Sequence, residues 1–342
     1  SGRKKNVLAE LLQDEAKNLP EWVRFVVTSR PDAKVIRPLE DAYVVHLDEE
    51  ANRNDDVRRY LEYELCDKNT NRYNDKVLNK LTELCSGNFL FAKIACDALR
   101  KNVISLNDVK NGKIDGSLAS IYRKYFDRTF TDIKEYEERF YMPLAALVTS
   151  KEPIPQETLR CISGGNAAQM VNILNTLSPY LVETDGKLSL YHKSLKDWLS
   201  DEKADAYVID NRDGCIAVGN ACYESYDRAY NRHAGHMNQY EMRYLIPYMK
   251  ETTDRRLEEI LHNQHFADDL LAKADEMKNT YNYIAACEFA EMAVEIYRGI
   301  NDKVNEVETY QTLAEINNMS VQLKQAAWWC QQGIDAAKKV YN

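Results

Sequence analysis

The spacing of hydrophobic positions along the chain changes near residue 50. Before that point, residues 5–18 carry apolar side chains at the three- and four-residue spacing of an amphipathic helix. Two short apolar runs follow at 22–27 and 42–47, and continuous runs of this kind are typical of buried strands in a parallel sheet. Since two strands do not make a stable sheet, these runs either pack against another part of the protein or borrow partner strands.

After residue 50 the pattern is helical, with one polar interruption at 101–116 that predicts a domain boundary. Several predicted helices then lead to the segment "YLVETDGKLSLYH". Within it, Asp185-Gly186 separates two runs of alternating character, which is a strong signal for a β-hairpin. Helices followed by such a hairpin indicate a winged-helix module.

From about residue 204 onward the chain is predicted to be entirely helical, and its last part contains a repeat. A shift of 40 residues superimposes small positions on small positions: Ala274 on Ala314, Ala286 on Ala326, and Ala293 on Gly333. Small residues at these positions let two antiparallel helices approach closely. The pattern matches the tetratricopeptide spacing, although its period exceeds the usual ~34 residues. Plain helical hairpins are the alternative.

Composition and charge disfavour several classes of protein. The net charge of −9 over 342 residues disfavours a basic face for nucleic acid. None of the eight cysteines forms a CxxC pair, which indicates a reduced, cytoplasmic protein and no disulfide framework. No run of 18 apolar residues occurs, so no membrane partner is predicted.

Two histidine pairs and one helix could in principle bind a metal or DNA. "HAGH" and "HNQH" place histidines three residues apart, but cysteine partners at zinc spacing are absent, so no metal site is predicted. The candidate recognition helix of the winged module, residues 167–177, carries no Lys or Arg, which disfavours reading of the DNA major groove. No catalytic residue is predicted.

Four segments occur in an order that resembles a known family. They are "LPEWVRFVVTSRPD", "SGNFLFAKIACDAL", "GSLASIYRKYF" and "LSLYHKSLKDWLSD". Together they resemble the C-terminal half of a NACHT-type STAND NTPase, a signal-transducing ATPase with several domains. The similarity covers about residues 17–235. In that family a P-loop α/β domain is followed by a helical domain, a winged helix and a repeat array.

The resemblance implies a nucleotide contact at the end of the first apolar run. Thr28, Ser29 and Arg30, in "TSRP", look like the sensor 1 motif, whose arginine lies near the terminal phosphates of ATP. A guanidinium is permanently charged and offers forked donors to phosphate oxygens, which suits this role. The alternative is a capped turn with a solvated arginine.

A second contact is implied by "LYHKSLKDWL", which looks like the winged-helix histidine motif of the family. His192 would then contact the β-phosphate of ADP and hold a closed state. Leu195 and Trp198 stand where the family usually has Phe. Ser194 and Asp197 are expected to act locally, as a hydroxyl and a carboxylate in the first turn of the helix. The alternative for His192 is a partly buried residue that caps this helix.

The sequence contains no G-x-x-x-x-G-K-[ST] loop to hold phosphate. "YVVHLDEE" imitates a Walker B element, but it follows the sensor-like segment, whereas Walker B precedes sensor 1 in the family. We therefore expect an upstream NTPase half, with an effector domain, to supply both motifs. The chain by itself is not predicted to hydrolyse ATP. ATP or ADP is the expected cofactor, with Mg²⁺ only in the full-length protein.

These inferences predict a mostly α fold with a small α/β remnant of a P-loop domain. The predicted segments are the end of the NTPase core (1–50), a helical domain (51–115), a winged helix with one β-hairpin (116–203), a helical linker region (204–265) and tetratricopeptide-like repeats (266–342).

The predicted function is the regulatory part of a nucleotide-dependent signalling or defence switch. It would open and oligomerise when a protein ligand binds its C-terminal helices, which are also candidates for self-association. The alternatives are a helical-repeat interaction scaffold with a degenerate ATPase remnant, and a winged-helix transcriptional regulator.

Overall fold

A computed structural model describes residues 6–16, 18–29, 33–46, 53–65 and 75–340. The chain divides into two compact units, Ser1–Lys93 and Ile94–Asn342, which we call the N-terminal and C-terminal units. The described residues are mostly helical and contain one small antiparallel sheet, so the predicted mostly α class is confirmed. None of the helices in these ranges is long and apolar enough to cross a membrane.

The N-terminal unit is built from short helices. They are α1 (Val7–Ala16), α2 (Ala33–Ile36), α3 (Arg53–Leu65), α4 (Asp75–Cys85) and the start of α5 (Phe89–Arg100), which continues into the C-terminal unit. Helices α3 and α4 pack together through apolar side chains at helical spacing, among them Val57, Leu61, Val77 and Leu81. An ion pair joins the two helices, with Nη2 of Arg58 2.9 Å from Oδ1 of Asp75.

The two apolar runs predicted as strands are not strands. Residues 23–29 and 43–46 have no regular secondary structure, and their side chains are largely exposed, with Val26 at 94%. The physical reason is that a β-strand needs a neighbour to satisfy its backbone groups, and the described residues of this unit form no strand to pair with. The described residues therefore do not contain the predicted α/β remnant.

The C-terminal unit contains the remaining helices. They are α6 (Leu106–Lys110), α7 (Leu118–Thr129), α8 (Ile133–Glu135), α9 (Tyr141–Thr149), α10 (Gln156–Ile162), α11 (Ala167–Leu177), α12 (Lys193–Leu199), α13 (Asn211–Tyr226), α14 (Gln239–Thr252), α15 (Leu257–Ile260), α16 (Gln264–Asn279), α17 (Tyr283–Gly299), α18 (Lys303–Met319) and α19 (Leu323–Val340). Two π-helical turns, Tyr136–Phe140 and Asp227–Asn231, and two 3₁₀ segments, Ser178–Tyr180 and Glu202–Tyr207, lie between them.

The sheet has the strand order β1-β3-β2, with β1 (Ile154–Pro155), β2 (Leu181–Thr184) and β3 (Lys187–Leu190) all antiparallel. The turn between β2 and β3 has positive φ at both central residues, Asp185 and Gly186. This conformation matches the right-handed twist of paired strands and explains why Asp-Gly is favoured there. The predicted hairpin is confirmed.

An aromatic cluster attaches the hairpin region to the helices around it. The ring of Phe126 on α7 lies 4.9 Å from that of Tyr180, 5.0 Å from that of Trp198 on α12 and 5.2 Å from that of Tyr207. All four side chains are buried. The cluster therefore fixes α7 against α12 and the segment that leads into β2.

Helices α17, α18 and α19 begin at Tyr283, Lys303 and Leu323, so one helix and its turn occupy 20 residues. The three turns are alike: each contains one residue in the left-handed region, at Tyr281, Asn301 and Val321. In each, the next backbone N–H reaches back to a carbonyl five residues earlier, at 2.9, 2.8 and 2.8 Å. This is the Schellman arrangement that ends a helix.

The small residues of the 40-residue repeat lie where the helices meet. Ala274, Ala286 and Ala293 have no exposed surface. A methyl group added to Gly333 would lie 3.3 Å from Cβ of Tyr310, so α19 is in close contact with α18 there. The predicted packing role of these positions is confirmed, whereas the tetratricopeptide assignment itself stays a prediction.

Candidate functional site

His192 lies at the junction between the hairpin and helix α12. It follows β3 by two residues and is the N-cap of α12, with extended backbone at φ −155° and ψ 145°. Its Nδ1 accepts a hydrogen bond from the backbone N–H of Ser194 at 3.0 Å. Such a bond satisfies one of the amides that a helix leaves unpaired at its start. The capping role proposed for this histidine from sequence is confirmed.

This bond fixes the tautomer of the ring. Since Nδ1 is an acceptor, the proton of the neutral imidazole is on Nε2. The hydroxyl of Ser194 lies 2.7 Å from the same Nδ1 and donates to it. Within the described part of the C-terminal unit, Nε2 has no hydrogen-bond partner. The ring is therefore held by one nitrogen and offers a donor with the other.

A chain of hydroxyl groups leads to Ser194 from two tyrosines, of which Tyr122 is buried and Tyr191 is half-buried. Oη of Tyr122, on α7, lies 2.7 Å from Oγ of Ser194, and Oη of Tyr191 donates to Oη of Tyr122 at 3.1 Å. Because each hydroxyl has one proton, the donors run in one direction, from Tyr191 through Tyr122 and Ser194 to Nδ1 of His192. Burial raises the pKa of both tyrosines, so both remain neutral donors at physiological pH.

Buried aromatic side chains pack beside this chain. The ring of Tyr122 lies 5.6 Å from that of Trp198, and both side chains are buried. Leu195 and Trp198, which replace the Phe residues of the family motif, occupy core positions, as their apolar character predicts. Ser194 is in the first turn of α12, as expected. The expectation for Asp197 is wrong: α12 begins at Lys193, which places this exposed carboxylate beyond the first turn.

The other predicted site residues belong to the N-terminal unit. Thr28 and Ser29 are exposed and lie in a segment without regular structure. Arg30 lies outside the described residues. The predicted pairing of Arg30 with His192 around one nucleotide therefore stays a prediction.

Sequence reasoning missed the two tyrosines. Tyr191 directly precedes the histidine in "LYHKSL", and Tyr122 lies within "GSLASIYRKYF". Both segments belong to the family resemblance, but nothing in the sequence joins a tyrosine to a serine 72 residues away. Only the packing of α7 against α12 brings these hydroxyls together.

Neither histidine pair is part of a metal centre in the described ranges, because no group of three or more His, Cys, Asp or Glu side chains there is arranged to hold an ion.

Comparison of the chain with protein-family models, curated proteins and solved structures gave no match in any of the three.

Proposed function

We propose that the chain is the regulatory part of a nucleotide-dependent signalling switch of the NACHT type. One observation carries this proposal: His192 is anchored through Nδ1 while Nε2 keeps its proton and has no partner in the described part of its unit. A fixed, neutral N–H donor is suited to a phosphate oxygen, since hydrogen bonds to charged acceptors are strong. The resemblance in "LYHKSLKDWL" supplies the choice of ADP.

In this proposal, residues of this chain position one hydrogen-bond donor, the Nε2–H group of His192. The hydroxyls of Tyr122 and Ser194 orient the imidazole, and α12 carries it at the edge of the hairpin. ADP binding would favour the conformation in which this donor meets the phosphate, and a protein ligand at the C-terminal helices would favour the open one. The phosphate-binding loop and Mg²⁺ would come from an upstream NTPase half, so this chain contributes regulation and no hydrolysis.

The test separates capping from nucleotide contact in the full-length protein. His192→Asn and His192→Asp both keep a good N-cap, whereas His192→Ala removes it at a cost of about 1 kcal/mol in stability. We expect His192→Asp to fold normally but to bind ADP at least about tenfold more weakly, because a carboxylate repels phosphate and the donor is lost. Basal activation should rise in the same variant.

Asparagine is the matched control, since it is neutral and has the same capping function. It should give an intermediate affinity for ADP, measured by titration calorimetry. If the Asn and Asp variants both bind ADP as the wild type does, the nucleotide contact is wrong and His192 is a capping residue only.

A second candidate function, an interaction scaffold, is favoured by a specific surface. The α18–α19 hairpin carries an open apolar groove of about 710 Å³, which we call the terminal groove. Apolar grooves of this kind bind amphipathic helices. If the full-length protein shows no affinity for ADP while deletion of α18 and α19 abolishes its protein contacts, the scaffold is the better description. A transcriptional regulator is disfavoured, because α11 has no basic residue to contact DNA.

A further inference from the structure

A second, more polar cleft lies beside α16, and we call it the α16 cleft. Asp269, Lys273 and Glu276 on one face of α16 form one wall. Tyr230 and His236, from the segment between α13 and α14, belong to the opposite wall. The volume of the cleft is about 360 Å³, near the lower end of the range for ligand sites. It therefore has room for one side chain and is too small for a whole cofactor.

Tyr230 holds the carboxylate of Asp269 in the cleft. It lies on the π-helical turn Asp227–Asn231, and turns of this kind are frequent at functional sites. Oη of Tyr230 donates to Oδ2 of Asp269 at 2.6 Å, and its ring lies 5.3 Å from that of Phe266. Oδ1 of Asp269 accepts no hydrogen bond from the described residues. One oxygen of a fixed carboxylate is therefore left for a ligand.

The charge of Asp269 has no counter-ion within the cleft. Nζ of Lys273 lies 2.5 Å from Oε2 of Glu276, so these two side chains neutralise each other. Asp269 forms no ion pair in the described ranges, although it lines the same cleft. The cleft thus carries one negative charge that is not compensated from α16.

The two arginines of the neighbouring π-helical turn are engaged elsewhere. Nη2 of Arg232 lies 2.6 Å from Oδ2 of Asp227, and Nη2 of Arg228 donates to Oγ of Ser225 at 3.1 Å. Neither guanidinium is among the groups that line the cleft. The charge balance of both walls therefore favours a cationic ligand.

The rest of the lining suits a cation on an aliphatic stem. Met237 and Met242 are buried and line the cleft, and methionine adapts its shape to an apolar partner. His236 is exposed, and neither of its ring nitrogens has a partner among the described residues. A neutral imidazole keeps one acceptor nitrogen, so it adds a second acceptor to that of Asp269. Arginine has both a methylene stem and forked donors for two acceptors.

We propose that the α16 cleft binds an arginine side chain of a protein ligand. Its guanidinium donates to Oδ1 of Asp269 and to a ring nitrogen of His236, and its stem lies on Met237 and Met242. The inference rests on the proposed function in one respect only, namely that a protein ligand binds the C-terminal helices, and it names the chemistry by which that ligand is recognised.

The first experiment titrates the purified full chain with N-acetyl-argininamide and follows the methionine methyl signals by NMR. The signals of Met237 and Met242 should shift, whereas that of Met319, which is exposed at the end of α18, should not. The dissociation constant should be on the order of 1 mM, as is typical of a ligand of this size. N-acetyl-citrullinamide has nearly the same shape without the charge, and it should bind at least about tenfold more weakly.

Asp269→Asn tests the carboxylate, because the amide oxygen still accepts the hydroxyl of Tyr230. It should weaken binding of the arginine probe by about tenfold or more. Asp268→Asn is the matched control: Asp268 is also exposed and accepts a tyrosine hydroxyl, that of Tyr297, at 2.6 Å, but it lies outside the cleft. It should leave the affinity unchanged. No shift at the two methionines, equal affinity for the citrulline probe, or equal effects of the two variants would overturn the proposal.

A pentapeptide with Arg between two Gly residues on each side tests whether the cleft accepts this side chain from a protein. It should bind at least as tightly as N-acetyl-argininamide. Much weaker binding of the pentapeptide would mean that the cleft admits only a small free ligand, which overturns the assignment to a protein.

The nucleotide switch and the α16 cleft can fail separately. Asp269→Asn should leave the affinity for ADP unchanged, and the His192 variants should leave the affinity for the arginine probe unchanged. If the probe binds but ADP does not, the cleft belongs to the scaffold and the switch is wrong. If ADP binds but the probe does not, only the cleft is wrong.

Discussion

At the residue scale, the position of His192 depends on hydroxyl groups that are far apart in the sequence. Oγ of Ser194 links Nδ1 of the histidine to Oη of Tyr122, at 2.7 Å on either side. When a buried hydroxyl loses its hydrogen-bond partner, the folded state is destabilised by most of the desolvation free energy of that hydroxyl. The orientation of the imidazole is therefore coupled to the stability of this corner of the fold.

We predict that Tyr122→Phe lowers the free energy of unfolding by about 1 kcal/mol or more, since it removes two hydrogen bonds of a buried side chain. Tyr125→Phe is the matched control on the same helix, because no hydrogen bond of the Tyr125 hydroxyl is found among the described residues, and it should cost much less. Urea denaturation of the two variants measures the difference. Equal losses would mean that the hydroxyl chain contributes nothing.

At the element scale, the start of α14 is organised around a buried carboxylate. Glu241 completes a capping box with Asn238, whose backbone N–H donates to it at 3.0 Å. The hydroxyl of Thr158 on α10 also donates to this carboxylate at 3.0 Å. Burial raises the pKa of Glu241 above its ordinary value of 4.5, and these hydrogen bonds only partly oppose the shift. One side chain thus caps α14 and joins it to α10.

The raised pKa predicts a pH dependence of stability. Because the folded state binds this proton more tightly than the unfolded state, the stabilising contribution is complete below the unfolded-state pKa. It is lost as pH rises from about 4.5 through the higher folded-state pKa. Glu241→Gln removes the titration and keeps an oxygen acceptor.

The stability of Glu241→Gln relative to the wild type should therefore increase as pH rises above about 4.5. Urea unfolding at several pH values measures this difference. A difference that does not vary with pH, or that falls as pH rises, would contradict the assigned shift.

The turns of the helical array differ in how well their residues suit them. Val321 has φ +60° and is exposed, in a position equivalent to Asn301 in the preceding turn. A β-branched residue is strained in the left-handed region by roughly 1–2 kcal/mol, whereas Asn tolerates it. The turn at Val321 therefore contributes less to stability than the same turn would with Asn at this position.

We predict that Val321→Asn stabilises the protein by about 1 kcal/mol, and that the reciprocal Asn301→Val destabilises it by a similar amount. Thermal unfolding followed by circular dichroism gives both values. The same sign for the two substitutions would exclude backbone strain as the cause.

At the scale of the whole molecule, the N-terminal and C-terminal units differ in how closely their structure follows the sequence pattern. In the C-terminal unit, apolar spacing, turn residues and small residues agree with one another, and the hairpin and the close contacts at the small residues form as predicted. The segment from residue 204 onward is mostly but not entirely helical, because residues 233–238 have no regular secondary structure. In the N-terminal unit, the apolar runs at 22–27 and 42–47 have strand-like composition but no strand among the described residues to join. Propensity alone does not make a sheet.

The sequence by itself determined the helical periods, the Asp-Gly turn and the 40-residue repeat, because each depends on residues close together in the chain or on a regular spacing. For His192 it left capping and nucleotide contact as alternatives. Only the tertiary structure decided the rest. The hydroxyl chain from Tyr191 to His192 requires α7 to pack against α12, and the terminal groove requires α18 and α19 to leave one face uncovered. Contacts between distant segments are set by packing, and the spacing of residues along the chain does not record them.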